Sequence, residues 1–203
     1  MTTESALLLQ ASNLSIERGG RELFTDLSFA VTAGEVVQIE GANGAGKTSL
    51  LRILAGLARY GFSGSVQRPA SLMYLGHQPG VKALLSPREN LAWHVSGTGS
   101  HSKQEIDAAL AAVGLYGYED VPSNTLSAGQ LRRVNLARLY LTAPTLWLLD
   151  EPFTAIDRTG IAELEARMGL HAKAGGAVVL TSHQRIKMDY TVRAINLAKE
   201  GQG

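Results

Sequence analysis

Residues 41–48 read Gly41-Ala42-Asn43-Gly44-Ala45-Gly46-Lys47-Thr48, and the fold is decided there. The stretch matches G-x-x-x-x-G-K-[ST] at every fixed position. Small residues let backbone N–H groups curl around an anion without a Cβ in the way, and a following helix presents its positive end to the same anion. Lys47 then reaches the β- and γ-phosphates of a nucleotide, the Thr48 hydroxyl ligates Mg²⁺, and Ser49 adds a further phosphate donor. A glycine-rich turn ahead of a helix can be no more than a tight connection. Here the strand-like Val36-Val37-Gln38-Ile39 precedes it, and Leu50, Leu51, Leu54 and Leu57 recur after it at helical spacing, predicting a helix over Thr48–Leu57. Strand, loop and helix in that order identify a nucleotide binder and leave the reaction open.

Downstream, Leu146-Trp147-Leu148-Leu149-Asp150-Glu151-Pro152 is an apolar run that ends in two acids. An all-apolar run suits a strand buried on both faces of a parallel sheet. Ligands of such sheets bind beyond the C-terminal ends of the strands. Alternation sends the two carboxylates to different sides. Asp150 is expected to hold Mg²⁺ through water, and Glu151 to face the γ-phosphate, where it can orient or deprotonate the attacking water. Two acids can also simply close a strand and face solvent, but the phosphate loop needs the same sheet edge.

The rest of the chain is consistent with one α/β domain over residues 1–203. Strands are expected at Leu7–Ile16, broken by Gly19-Gly20, then at Leu27–Val31, Glu35–Glu40, Leu72–Leu75, Leu146–Asp150 and Ala177–Thr181, with short strands and turns over Gly61–Ala70. From about Ser86 to Leu141 the pattern is helical, with Ile106, Ala109, Leu110 and Val113 on one face. A further helix is expected at Gly160–Lys173. The predicted fold is a mostly parallel sheet (about 1–85 and 142–203) carrying a helical insertion (about 86–141). Lys199–Gly203 reads as a frayed tail. With 19 basic and 18 acidic residues the formal charge is +1, which argues against a dedicated nucleic-acid binder. The absence of cysteine excludes disulfides and thiolate chemistry and makes a reducing compartment the default. No apolar run approaches the ~18 to 20 residues of a membrane helix, so the expectation is a soluble subunit that docks on a membrane partner.

Leu126-Ser127-Ala128-Gly129-Gln130 opens a helix that reads as basic and amphipathic through Arg132, Arg133 and Arg138. Ser127 as N-cap and Gln130 three positions on make a capping box, which alone needs no further function. The segment resembles the signature motif of ATP-binding-cassette proteins in the form LSAGQ, and other family marks follow in order. Gln78, after Tyr74-Leu75-Gly76-His77, resembles the Q-loop glutamine. Ala155-Ile156-Asp157 resembles the D-loop. His183, after Val178-Val179-Leu180-Thr181, resembles the switch histidine. The resemblance implies a P-loop NTPase core with a small antiparallel β region and a helical subdomain, binding ATP and Mg²⁺. It also implies that Gln78 joins Thr48 and Asp150 at the metal, that Gln78 and His183 act with Glu151 in catalysis, and that Gln130 and Asp157 belong to the nucleotide site. Ser127 and the Gly129 amide would touch the γ-phosphate bound to a second copy, so that an ATP-dependent homodimer completes two sites at once. One position departs from the pattern: where many members carry an aromatic residue to stack on adenine, this chain has Arg18.

With their flanks, the motifs resemble the ATPase subunit of the cytochrome c maturation haem exporter. The segments are Val37 to Gly41, Gly76-His77-Gln78-Pro79-Gly80-Val81-Lys82, Leu126 to Gln130 with Arg132-Arg133, and Leu146 through Asp157. That resemblance implies a peripheral subunit on the cytoplasmic face of the bacterial inner membrane. Its partners would be integral membrane subunits of the cytochrome c maturation B and C type, and ATP hydrolysis would serve haem export or release of a haem-loaded chaperone. No C-x-x-C-H motif is present, and no direct haem binding is expected. The alternatives are the ATPase of another exporter, which shares every catalytic residue, and a soluble cassette acting on nucleic acid or ribosomes. The latter usually carries two cassettes or a long coiled-coil insert, and no nucleic-acid partner is expected. The segment Pro79–Trp93, with Lys82 and Arg88, is the expected docking surface for a membrane partner.

Overall fold

A computed structural model describes residues 5–93, 101–141, 144–183, 186 and 188–197 of the chain. The expected tail at Lys199–Gly203 and residues 94–100 of the expected helical stretch lie outside them. The chain divides into two compact units: Met1–Tyr74, Pro144–Glu151 and Ala166–Gly203 form one, and Leu75–Ala143 with Pro152–Glu165 the other.

The first unit is built on two sheets. Strands β1 (Leu7–Arg18), β2 (Arg21–Thr32) and β4 (Phe62–Gln67) form an antiparallel sheet in the order β2-β1-β4. Gly19 and Gly20 (φ 58° and 71°) make the two-residue turn between β1 and β2, which needs positive φ at both positions. Strand β2 starts at Arg21 rather than at Leu27. Its polar first residues pair with β1 through Arg18↔Arg21 and Glu17↔Glu22, so the partner strand and not their own pattern makes them extended. Arg18 stands exposed at the tip of this hairpin.

The second sheet contains β3 (Val36–Glu40), β5 (Leu72–Leu75), β6 (Leu146–Leu149), β7 (Ala177–Thr181) and β8 (Val192–Asn196), in the order β5-β6-β7-β3-β8. Strands β6, β7, β3 and β8 pair in parallel. All of β6 and β7, and all but the last residue of β3, are buried, as continuous apolar runs in a parallel sheet should be. Strand β8 escapes the sequence reading because it is a half-buried edge. Its Arg193 looks like a surface residue but donates to Glu35 (2.8 Å) and to the Ala30 carbonyl (2.6 Å). His171 is structural: its ring stacks on the buried Trp147 indole (centroids 3.8 Å, planes 4° apart) and a ring nitrogen meets the Thr145 carbonyl at 3.1 Å.

Helix α1 (Lys47–Leu54) follows the loop after β3 and packs Leu50, Leu51, Ile53 and Leu54 into the core with Leu9, Ile39, Leu148 and Val179. It stops at Leu54, short of the expected Leu57. Gly56 (φ 73°) takes the left-handed conformation, its N–H donating to Ile53 and that of Leu57 to Arg52, which is a Schellman ending. Arg68 donates to the Leu54 (2.6 Å) and Ile53 (2.5 Å) carbonyls and satisfies the last turn.

The second unit is helical: α2 (Pro87–Ala92), α3 (Lys103–Ala112), α4 (Ala128–Leu141) and the start of α5 (Arg158–Lys173). Ser86 with Glu89 and Ser102 with Glu105 form capping boxes at α2 and α3. Arg88, on the expected docking surface, is engaged within the unit, where its guanidinium binds Asp107 at 2.7 Å and also Asp120. Reversing its charge would break those pairs within the unit, so it is no probe of a partner. Among the described residues no helix is long and apolar enough to cross a membrane.

Helix α4 is not amphipathic in the expected sense. Arg132 and Arg138 are 3% and 8% exposed, and from Val134 to Leu139 every residue is buried. The helix is the centre of its unit, with its cations turned inward.

Candidate functional site

The site is built where β3, β6 and β7 of the first unit end. Gly46, the N-cap of α1, has φ 98°, and a Cβ there would lie 3.2 Å from Phe24 and 3.3 Å from Leu23. The positive φ favours glycine, and a side chain there would in addition press on both neighbours. Lys47 is buried, and its ammonium donates to the carbonyls of Gly41 (2.7 Å) and Ala42 (3.3 Å), which holds the cation inside the curve of the loop. Ala42, Asn43 and Gly44 are exposed along its rim, and Ser49 is half-buried on α1.

The Thr48 hydroxyl donates to Asp150 Oδ1 at 3.1 Å, across 102 positions of sequence. A hydroxyl and a carboxylate oxygen at one point form a hard-oxygen donor set that fits Mg²⁺ beside phosphate. Asp150 is 1% exposed, and its Oδ1 also accepts from the Thr181 hydroxyl at 2.8 Å. Burial, and next the Asp150 charge, push the nearby Tyr74 phenol above its ordinary value.

Glu151 has φ 50°, an uncommon conformation for a non-glycine residue that costs about 1–2 kcal/mol. Contacts on both its backbone and its side chain hold it. Its N–H donates to Thr181 Oγ1 (2.9 Å), and its Oε2 accepts from the His183 N–H (3.2 Å). The His183 ring nitrogen Nε2 lies 3.7 Å from Oε1, and the His183 side chain is mostly exposed. Lys47, Thr48, Asp150, Glu151 and His183 are thus brought to one sheet edge.

Thr181 is the residue of this candidate site that sequence reasoning missed. Fully buried at the end of β7, it links the two acids, donating to one side chain and accepting from the other's backbone. The signal was available: Leu149 pairs with Leu180 in the parallel register, so a hydroxyl residue after Leu180 must sit beside the acid after Leu149. Thr181→Val keeps the shape and removes the hydroxyl. We expect ATP turnover to fall about 10- to 100-fold, the usual effect of losing a partner that orients a site residue. Steady-state kinetics check this, and turnover within about twofold of the parent would remove Thr181 from the machinery.

The second unit holds the remaining expected residues. Ser127 and Gln130 form the capping box at α4, the Gln130 N–H donating to Ser127 Oγ (3.2 Å) and the Ser127 N–H to Gln130 Oε1 (2.9 Å). Gly129 has no room for a side chain, since a Cβ would meet the Ala155 carbonyl oxygen at 2.8 Å. Asp157 pairs with Arg133 (3.0 Å) and accepts from the Gly160 N–H (2.9 Å). Gln78 is exposed on the segment after β5.

The model of the family described as ABC transporter matches residues 24–154. The chain is 50% identical over 192 residues to a Pseudomonas putida protein named cytochrome c biogenesis ATP-binding export protein CcmA, covering 89% of this chain and 91% of that one. Identity to the Salmonella typhi protein of that name is 50% over 208 residues, 97% of this chain and 100% of the relative. A solved dimeric ATP-binding cassette, MJ0796 bound to ADP and phosphate, superposes with a TM-score of 0.77 at 21% identity, over 87% of this chain and 88% of that chain, a likeness of fold. Fold, motif residues and relatives agree: the chain belongs to the ABC transporter family, in the group of the cytochrome c biogenesis ATP-binding export proteins.

Proposed function

We propose that this subunit couples MgATP hydrolysis to haem export or to release of a haem-loaded chaperone. It would dock at the cytoplasmic face of the inner membrane on integral subunits of the cytochrome c maturation B and C type. By family membership the chain is an ATPase subunit serving cytochrome c biogenesis, it binds ATP, and it works with a membrane complex. The observation that carries the chemistry is Glu151, its carboxylate held by the His183 N–H and its backbone by Thr181, at the same sheet edge as the Thr48–Asp150 pair.

In the proposed reaction Lys47 and the loop amides bind the β- and γ-phosphates, and Thr48 and Asp150 are the groups that would hold Mg²⁺. When bound, the ion neutralises charge on the phosphates. Glu151 takes the proton of the attacking water, and His183 keeps that carboxylate aimed. Gln78 and Asp157 carry the roles assigned by the family pattern. Ser127, Gly129 and Gln130 serve the site of a second copy.

Lys47→Ala tests this directly. It should abolish ATP turnover in the purified protein and covalent haem in c-type cytochromes of the host, read by haem-stained gels, while the fold persists. Turnover like the parent's would sink the phosphate-loop role. Lost turnover with normal cytochromes would instead assign the subunit to another exporter, and co-purified membrane subunits would identify it.

A further inference from the structure

The inward-facing cations of α4 end on the segment that carries Gln78. Arg132 Nη1 donates to the carbonyls of Gly76 (2.9 Å) and His77 (3.3 Å), and its Nε to that of Pro152 (3.4 Å). Arg138 Nη1 donates to the Pro79 carbonyl (3.3 Å) and to Asn135 Oδ1 (2.6 Å), and its Nη2 to the Gly80 carbonyl (3.1 Å). Two buried guanidiniums therefore grip the backbone on both sides of Gln78 and leave its side chain exposed.

We propose that Arg132 and Arg138 are positioning residues for Gln78, fixing the Gly76–Gly80 backbone to the helix that begins at the Ser127–Gln130 motif. The chemistry favours this over simple packing. A buried charge is costly unless its donors are satisfied, and a side chain that only filled space would be apolar. Here most of the acceptors are main-chain carbonyls of the irregular Gly76–Gly80 segment, which lies in neither a strand nor a helix. Arginine's planar fork spans two carbonyls at once, which lysine's single ammonium does with poorer geometry. Burial pushes the Arg138 guanidinium down to about 10, so it remains charged at neutral pH. Because α4 carries the motif at one end and grips the Gln78 segment along its length, a displacement of the motif would move Gln78 with it.

This inference rests on the proposed role of Gln78, and a double-mutant cycle separates the two. Gln78→Ala, Arg138→Lys and the double variant are compared for kcat and for KM of ATP. Arg138→Lys should lower kcat about tenfold, as loss of an orienting partner does. KM for ATP should stay within about twofold, because the groups assigned to ground-state binding are untouched. In the Gln78→Ala background the same substitution should have little further effect, since residues that act as a unit are not additive. Hydrogen exchange of the Gly76–Lys82 amides should quicken in Arg138→Lys, a change readable even where kcat is low. Gln78→Ala with parental kcat overturns the role of Gln78 and this proposal together. A Gln78→Ala defect combined with additive effects of Arg138→Lys overturns the proposal alone. Should Arg138→Lys fail to fold, Arg132→Lys is put through the same cycle with the same criteria.

Discussion

Glu151→Gln is expected to lower ATP turnover by roughly 10²- to 10⁴-fold, the usual contribution of a positioned general base. The substitution keeps the size of the side chain and an oxygen that can accept the His183 N–H now bound to Oε2. The Thr181 contact uses the Glu151 backbone and is untouched by it. The left-handed backbone at this position and its supports therefore survive, and only the proton acceptor is lost. Nucleotide affinity should stay within about threefold of the parent, because the groups assigned to ground-state binding are Lys47, Thr48 and the loop amides. Phosphate-release assays and titration with a fluorescent ATP analogue separate the two quantities. A Glu151→Gln protein that turns over at the parental rate would pass the role of base to another group, with His183 the first to be tried.

The pair Thr48–Asp150 shows what the sequence makes legible. A hydroxyl after Lys47 and an acid after four apolar residues each announce a chemistry, and the shared sheet edge follows from placing both at strand ends. Thr181 was harder, because a threonine ending a strand is ordinary and its importance lies in register with β6. The α4 arginines were misread for a related reason. Three cations in seven positions look like a solvated face, and only the fold reveals that Arg132 and Arg138 find backbone carbonyls inside. Charge in a sequence reports that a partner is needed, either water or an acceptor, and does not say which. The same limit hid β8, whose Arg193 is satisfied by Glu35 at 2.8 Å. The end of α1 was missed through glycine chemistry. Leu57 keeps the helical spacing, but Gly56 takes a conformation that terminates a helix, and the stop outranks the spacing.

The Glu151→Gln protein is also the means of testing assembly, and there the expected effect is larger still. Ser127 is exposed at the first turn of α4, its hydroxyl capping the Gln130 N–H, and Gly129 is pressed against the Ala155 carbonyl. A helix N-terminus with free amides suits an anion, and in the proposed mechanism that anion is the γ-phosphate held by a second copy. ATP is then part of the interface. If the pair binds ATP about 100 times more tightly than the single chain, each saturated site contributes about 2.7 kcal/mol, and two sites raise the association constant roughly 10⁴-fold. The empty or ADP-bound protein should run as a monomer, and Glu151→Gln with MgATP should accumulate as a dimer by light scattering, since the contacts are no longer cleared by hydrolysis. Adding Ser127→Arg to that background places bulk and positive charge at the positive end of α4, where the macrodipole opposes it. The dimer should vanish, while each chain still binds ATP through Lys47 and Thr48. That retained binding excludes misfolding as the cause. A Glu151→Gln protein that stays monomeric at high concentration in saturating MgATP, with its membrane partner present, would overturn the shared site. A Ser127→Arg double variant that still dimerises would move the contact away from the head of α4.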